Sequence, residues 1–440
     1  MASDHIPATT HRLPVGDVFA SMTLGPRQVR AGLVLFVAFV LEAWEMLGLV
    51  YIGADVRASL HIDEAALGLL ISALFFGMIP GALVFGVLAD RLGRRRICTW
   101  SLALYGVCTA LAAFAPNYQW LVVTRFAAGF ALSGLHVMAF PYFEELLPVR
   151  VRGKATVYLS SGWALGILLA VGSTALLGAH GWRVVVFANA LVGLWALAIS
   201  AWVPESPYWL AARGRQREAR SVLIGLGADI SDRTELTATG EGAGSITAVF
   251  RLPLRWVTVQ QLLLNFALSW GYWGLQTGLP TLLTARGLSL PSTLSFTALS
   301  ALVMIPGYIS ASFLTRRFGR RWVFIVYIGL AAVGGAVFAS APNLTLLYLG
   351  NFVVSFFSLG AFGVWNTWLG ELYPTAVRGV GYSWGIFSQR VANAVVPSVV
   401  GFMLAGQAGF GATTAFIDAF LIATALCALG LPETESKPLQ

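Results

Sequence analysis

Apolar residues along this chain come in runs long enough to cross a lipid bilayer, with polar residues gathered between them. A spanning helix needs roughly 20 mostly apolar residues. Such runs fall near 31–53, 66–89, 97–115, 119–143, 156–178 and 183–203. A polar stretch follows, and six more runs fall near 257–281, 293–315, 322–341, 344–369, 379–404 and 412–431. Numbered helix 1 to helix 12 in chain order, they predict an all-α membrane protein with twelve transmembrane helices in two six-helix bundles. The expected organisation is an N-terminal tail over 1–30, one bundle over 31–203, a linker with short amphipathic helices over 204–256, a second bundle over 257–431 and a C-terminal tail over 432–440.

Composition agrees with lipid as the solvent. Of the 440 residues 57% are hydrophobic and 11% charged, against about 25% charged in soluble domains. The net charge of +8 does not point to nucleic acid, because the basic residues sit in short clusters between apolar runs. With the N-terminus in the cytoplasm, 23 of the 28 Lys and Arg fall on the cytoplasmic side and Arg57, Arg183 and Arg286 on the other. That asymmetry places both termini and the linker in the cytoplasm. Arg125 and Arg390 fall inside apolar runs. Cys98, Cys108 and Cys427 lie within apolar runs and read as small hydrophobes, with no metal or disulfide framework. The first thirty residues are polar and mixed, unlike a signal peptide.

The two bundles repeat. RLGRR at 91–95 returns as RFGRR at 317–321, and ELLPVRVRG at 145–153 returns as ELYPTAVRG at 371–379, both at an offset of 226. PES at 204–206 is echoed by PET at 432–434. Duplicated helix bundles with a site at their interface are the architecture of alternating-access carriers.

The segment Gly86-Val-Leu-Ala-Asp90-Arg91-Leu-Gly93-Arg94-Arg95 resembles the loop 2–3 signature of the major facilitator superfamily, although its second copy has Ser312 and Arg316 where the first has Gly86 and Asp90. The Glu-x-x-Pro-x-x-x-Arg-Gly pair and Pro204-Glu205-Ser206-Pro207 resemble motifs of sugar porters and organic-ion carriers. Glu42-Ala-Trp-Glu45 in helix 1 is similar to the acidic pattern of aromatic acid:proton symporters, with Glu for Asp and Ala43 for Gly. With Phe76-Gly77-Met78, these segments resemble the organic-ion branch, which includes bacterial niacin permeases, organic anion carriers and synaptic-vesicle-glycoprotein-like proteins. A bacterial inner-membrane carrier fits, since only about ten residues separate helices 1 and 2. The resemblance implies gating charges at Asp90, Arg91, Arg94, Glu145 and Arg152, and at Arg320, Glu371 and Arg378 in the second half.

Charge inside hydrocarbon is costly and marks a cavity or a partner. Glu42 and Glu45, at i and i+3, share a helical face, and two carboxylates so close favour proton uptake by one of them. They are the candidate proton-coupling residues, together with Arg125, for which coupling and a structural pair with helix 1 stand level. Arg390 is suited to bidentate capture of a carboxylate, and the organic anion carriers place an Arg at the matching site in helix 11. The alternative is a fixed salt bridge to Glu42 or Glu45. Trp270, Tyr272, Trp273, Trp365, Trp384 and Phe140 supply aromatic surface for a planar ring, with Gln276, Asn366 and Asn393 as polar contacts. His136 in helix 4 reads first as a packing residue with a titratable ring, and Asp418 in helix 12 as a further intramembrane acid. The set predicts proton-coupled uptake of a small aromatic monocarboxylate, nicotinate- or benzoate-like, by a monomer in contact with membrane lipids. No cofactor, metal or enzymatic chemistry is expected. A sugar or organic-cation carrier, a drug-efflux antiporter and a non-transporting sensor remain alternatives.

Overall fold

The computed structural model describes residues 12–231, 234–237, 247–251, 253–373, 377–406 and 408–434. Helices 1 to 6 are Pro26–Tyr51, Glu64–Leu92, Arg94–Ala113, Tyr118–Glu145, Val149–Leu177 and Trp182–Trp202, the last interrupted by a 3-10 turn at Leu191–Leu194. Helices 7 to 12 are Arg255–Ala285, Leu290–Phe318, Arg320–Ser340, Leu344–Glu371, Arg378–Ala405 and Phe410–Leu429.

Local chemistry sets where these helices begin. Asp63 and Asn117 accept the N–H of Ala66 and Trp120 through their side chains, capping helices 2 and 4. Ser289 and Asn343, each 226 residues later, cap helices 8 and 10 in the same way. Such oxygens satisfy N–H groups that a helix start leaves without partners. Helix 1 starts at Pro26, where a missing N–H costs nothing.

Among the described residues, ten helices are long and apolar enough to cross a membrane. Helices 7 and 11 are long enough, at 31 and 28 residues, but their composition is more polar. They carry the buried Gln261, Asn265 and Gln276, and Gln389, Arg390 and Asn393. Large apolar side chains such as Phe114, Leu176, Leu197 and Phe313 stay on the outside, as lipid allows.

Packing follows the repeat. Helix 2 packs on 4, 1 on 5 and 3 on 4 in the first half; helix 8 packs on 10, 7 on 11 and 9 on 10 in the second. Between halves the main contacts are helix 2 with 11 and helix 5 with 8, which are symmetry equivalents. Close approach depends on glycine: a Cβ on Gly68 would strike the carbonyl of Pro397, and one on Gly401 the carbonyl of Glu64. Ser72 and Ser398 join their hydroxyls there at 2.7 Å. This seal lies on the side of the bundle away from the linker.

Each half ends on a Pro-Glu pair that ties back to its own bundle. Glu205 accepts the N–H of Arg95 at 3.1 Å, and Glu433 those of Arg320 and Arg321 at 3.0 Å each. A carboxylate at a helix N-terminus also meets the positive end of the dipole. Gly93 and Gly319, at φ of +105° and +81°, make room for these carboxylates. Tyr142 donates to the carbonyl of Pro204 and Trp368 to that of Pro432.

One tie joins the N-terminal segment to the linker. Arg12–Pro14 forms a parallel two-stranded ladder with Glu235–Thr237. The short helix Val15–Ser21 then lays Phe19 against Tyr208, rings 5.7 Å apart, with the Arg152 guanidinium over both. In the linker, helix Pro207–Ala212 reaches the end of helix 2, where Trp209 donates to the carbonyl of Asp90, and helix Gln216–Leu226 lies against the start of helix 1, where Arg27 donates to the carbonyl of Gly225.

Candidate functional site

Glu42, His136 and Arg390 meet where the two halves face each other, on helices 1, 4 and 11. Glu42 of helix 1 contacts Nδ1 of His136 on helix 4, and Nε2 of the same ring contacts a guanidinium nitrogen of Arg390 on helix 11. Helices 1 and 4 belong to the first half and helix 11 to the second, so this chain of side chains bridges the halves. Glu45, one turn from Glu42, pairs with Arg125 of helix 4 at 2.5 Å. Tyr105 and Asn189 close around the same carboxylate. Both glutamates are fully buried, and Arg125 and Arg390 are nearly so. His136, at 20% exposed, is the least buried member of the chain.

The two glutamates share a face of helix 1, but they meet different side chains of helix 4. Each has its own basic partner, because helix 4 presents Arg125 and His136 three turns apart. Counted formally as two carboxylates and two guanidiniums, the cluster carries no net charge when His136 is neutral.

Aromatic and amide groups flank Arg390. With its amide oriented so that both ends are satisfied, Asn393, one turn further along helix 11, accepts from Nε1 of Trp273 at 3.2 Å and donates to the carbonyl of Gln389 at 3.1 Å. Trp273 lies edge-on to Phe75 and to Trp163, with centroids 5.0 and 5.5 Å away. Trp163 in turn donates to the hydroxyl of Tyr272 at 2.8 Å. Phe140 meets Phe39 edge-on at 5.3 Å, and Phe39 lies beside Trp163. Rings from helices 1, 2, 4, 5 and 7 therefore line the same interface.

Other expected site residues lie elsewhere. Trp270 turns toward helix 12 and stacks on Phe420 at 4.7 Å. Trp365 is buried in the second half against Phe324 and Trp368, where it donates to Asn265 at 2.9 Å. Gln389 donates to the same oxygen at 2.6 Å, so Trp365 fixes the turn of helix 11 that carries Arg390 without itself facing the first half. Trp384 lies edge-on to Phe250 and Phe387. Asn366 is half-buried and Gln276 buried. Asp418 is buried against Gly335 of helix 9, and its Oδ1 has no hydrogen-bond partner. Gln389 and Asn265 join the site without a sequence signal beyond polarity in a spanning run.

Among the residues expected to gate, ion pairs form within each half. Arg94 pairs with Asp90 at 3.1 Å and approaches Glu145 at 3.5 Å; Arg320 pairs with Glu371 at 2.7 Å. Arg152 donates to the Tyr208 hydroxyl at 2.9 Å and to the carbonyl of Leu147. Arg91 is exposed. The Arg378 side chain lies outside the described residues.

Comparison with known proteins places this architecture. The chain is 31% identical over 386 residues to the niacin transporter NiaP of Acinetobacter baylyi, covering 86% of this chain and 88% of that protein. It is 29% identical over 366 residues to the putative niacin/nicotinamide transporter NiaP of Bacillus subtilis, covering 83% and 86%. In fold it is similar to the inward-open xylose transporter XylE from E. coli, with a TM-score of 0.74 at 18% identity over 94% of this chain and 98% of that one. The family model described as sugar (and other) transporter matches residues 46–440. A duplicated twelve-helix bundle with buried charge at its interface, matched by that model over most of its length, makes this chain a member of the sugar (and other) transporter family of major facilitator proteins.

Proposed function

We propose that this carrier takes up a small aromatic monocarboxylate, nicotinate- or benzoate-like, together with protons, by alternating access across a bacterial inner membrane. The observation that carries the reading is Arg390, a guanidinium that meets His136 of the other half, with Asn393 one turn along the same helix and Trp273, Trp163 and Tyr272 linked to Asn393 in succession. A guanidinium grips a carboxylate at two points, and rings in offset or edge-on contact suit a flat aromatic body. Glu42, Glu45 and Arg125 make up the buried charge cluster through which protons couple to uptake. Two relatives bear the names of niacin transporters, which supports the same class of cargo. An organic cation fits less well, since both glutamates already face basic partners. The Lys and Arg distribution supports cytoplasmic termini.

Binding to purified protein tests the reading. Nicotinate and benzoate are expected to displace labelled nicotinate at least tenfold better than acetate, lactate or glucose, and Arg390→Ala to abolish binding while the protein stays folded. Wild-type binding by Arg390→Ala, or equal competition by glucose, would remove the aromatic acid from consideration.

A further inference from the structure

His136 sits between two groups that make opposite demands on it. The Glu42 carboxylate accepts hydrogen bonds only, and the Arg390 guanidinium donates only. Nδ1 faces the carboxylate and Nε2 faces the guanidinium. The neutral ring with its proton on Nδ1 satisfies both, donating to Glu42 and accepting from Arg390. A second proton on Nε2 would turn an N–H against the guanidinium and place two cations in contact. The bond to Glu42 would survive and strengthen; the bond to Arg390 would not.

We propose that His136 is a proton-operated latch between the two halves, which holds Arg390 when neutral and releases it to a carboxylate ligand when protonated. The proposal deepens the function proposed above and rests on its anionic cargo. Charge balance gives the coupling its sign. With His136 neutral the buried cluster of Glu42, Glu45, Arg125 and Arg390 sums to zero, and an anion would enter as uncompensated charge. With His136 protonated the cluster carries one positive charge, and the anion restores neutrality. Each ligand thus lowers the cost of the other, and the coupling is reciprocal. Imidazole is suited to the task because its ordinary titration range lies near neutral pH.

The surroundings leave His136 as the group that decides. Glu42 faces it from helix 1 and Arg390 from helix 11. Cys98 of helix 3 is within the electrostatic reach of Glu42, Glu45 and Arg125 pair with each other, and Tyr382 of helix 11 is within that of Arg390 and Glu144. Helix 2 carries no charged or His side chain between Glu64 and Asp90, and helix 5 beyond Lys154 brings only Tyr158 as a titratable group. The partial exposure of His136 gives protons access to it.

Two readouts on the full chain in nanodiscs test the latch. The first uses no ligand: spin labels on the linker-side ends of helices 4 and 11 report the distance between the halves at pH 8 and pH 5.5. The wild-type distribution is expected to shift with pH. His136→Gln, whose amide donates to Glu42 and accepts from Arg390 at any pH, is expected to hold the pH 8 distribution at both; His136→Asn serves if that variant does not fold. The second is nicotinate affinity, expected to rise by up to about tenfold per pH unit as pH falls in wild type, as for one linked proton, and to stay flat in the variant. A wild-type distribution that ignores pH, or a variant that follows pH as wild type does, would overturn the latch. A pH shift confined to wild type, with no nicotinate binding at any pH, would uphold the latch and discard the cargo.

Discussion

Arg125 and Glu45 form a buried pair whose two members are not equivalent. A guanidinium keeps its proton in every protein environment, whereas a stranded carboxylate can neutralise by taking one up. Glu45→Gln leaves a charged Arg125 without a counter-ion and is expected to cost about 3–5 kcal/mol, the usual range for breaking a buried pair from one side. Arg125→Met leaves Glu45, and its midpoint in thermal unfolding is expected to fall clearly less. Equal loss in the two variants would mean that water reaches the pair and screens it. The same chemistry explains what was legible in the sequence. Glu42, Glu45, Arg125 and Arg390 stand out because hydrocarbon penalises charge. Their pairings do not, since spacing along one helix says which residues share a face but not which helix faces them. His136 was the least conspicuous member for that reason: nothing in helix 4 alone shows that Glu42 and Arg390 reach it from two other helices. Trp270 and Trp365 mark the opposite limit, because an aromatic ring packs equally well inside one bundle or between two.

Helices were legible where lipid sets the rule and obscure where it does not. The spanning runs, the 226-residue repeat and the break after helix 6 all follow from hydropathy and motif spacing. The strand pairing of Arg12–Pro14 with Glu235–Thr237 does not, since three residues carry no usable period. Contacts between elements depend on glycine in a way that a controlled substitution can expose. A Cβ on Gly129 of helix 4 would collide with the Leu74 carbonyl of helix 2, while a Cβ on Gly86 of helix 2 meets nothing within 4 Å. Gly86→Ala is therefore expected to raise the unfolding midpoint slightly, by the helix propensity gain of up to about 1 kcal/mol. Gly129→Ala is expected to lower it by about 1–3 kcal/mol or more, as helices 2 and 4 are forced apart. Matching midpoints for the two variants in detergent would show that the helix 2–4 interface yields without strain.

For the whole molecule, the coupling proposed above follows from the net charge of the cluster formed by Glu42, Glu45, Arg125, His136 and Arg390. Both halves must separate on the side sealed by Ser72 and Ser398 for the site to face the other way, and the enclosed charge decides which ligands make that passage inexpensive. With neutral His136 the cluster sums to zero, so an anion crosses cheaply only in company with a proton. Any substitution that leaves one extra positive charge removes the need for the proton. Glu42→Gln does so by deleting the carboxylate beside His136, and Glu45→Gln by deleting the partner of Arg125. Both are expected to lose uphill accumulation of nicotinate in proteoliposomes under an inward proton gradient, yet to keep counterflow exchange, which needs binding and reorientation but no coupling. Glu45→Gln combined with Arg125→Met removes the pair as a unit and returns the sum to zero, so uphill accumulation is expected to reappear in the double variant. That reversal separates a charge-balance mechanism from one in which Glu45 itself carries the proton, because in the latter the double variant would stay uncoupled. Uphill accumulation by both single variants would exclude helix 1 from proton coupling altogether and direct attention to Asp418, the buried acid whose Oδ1 has no partner.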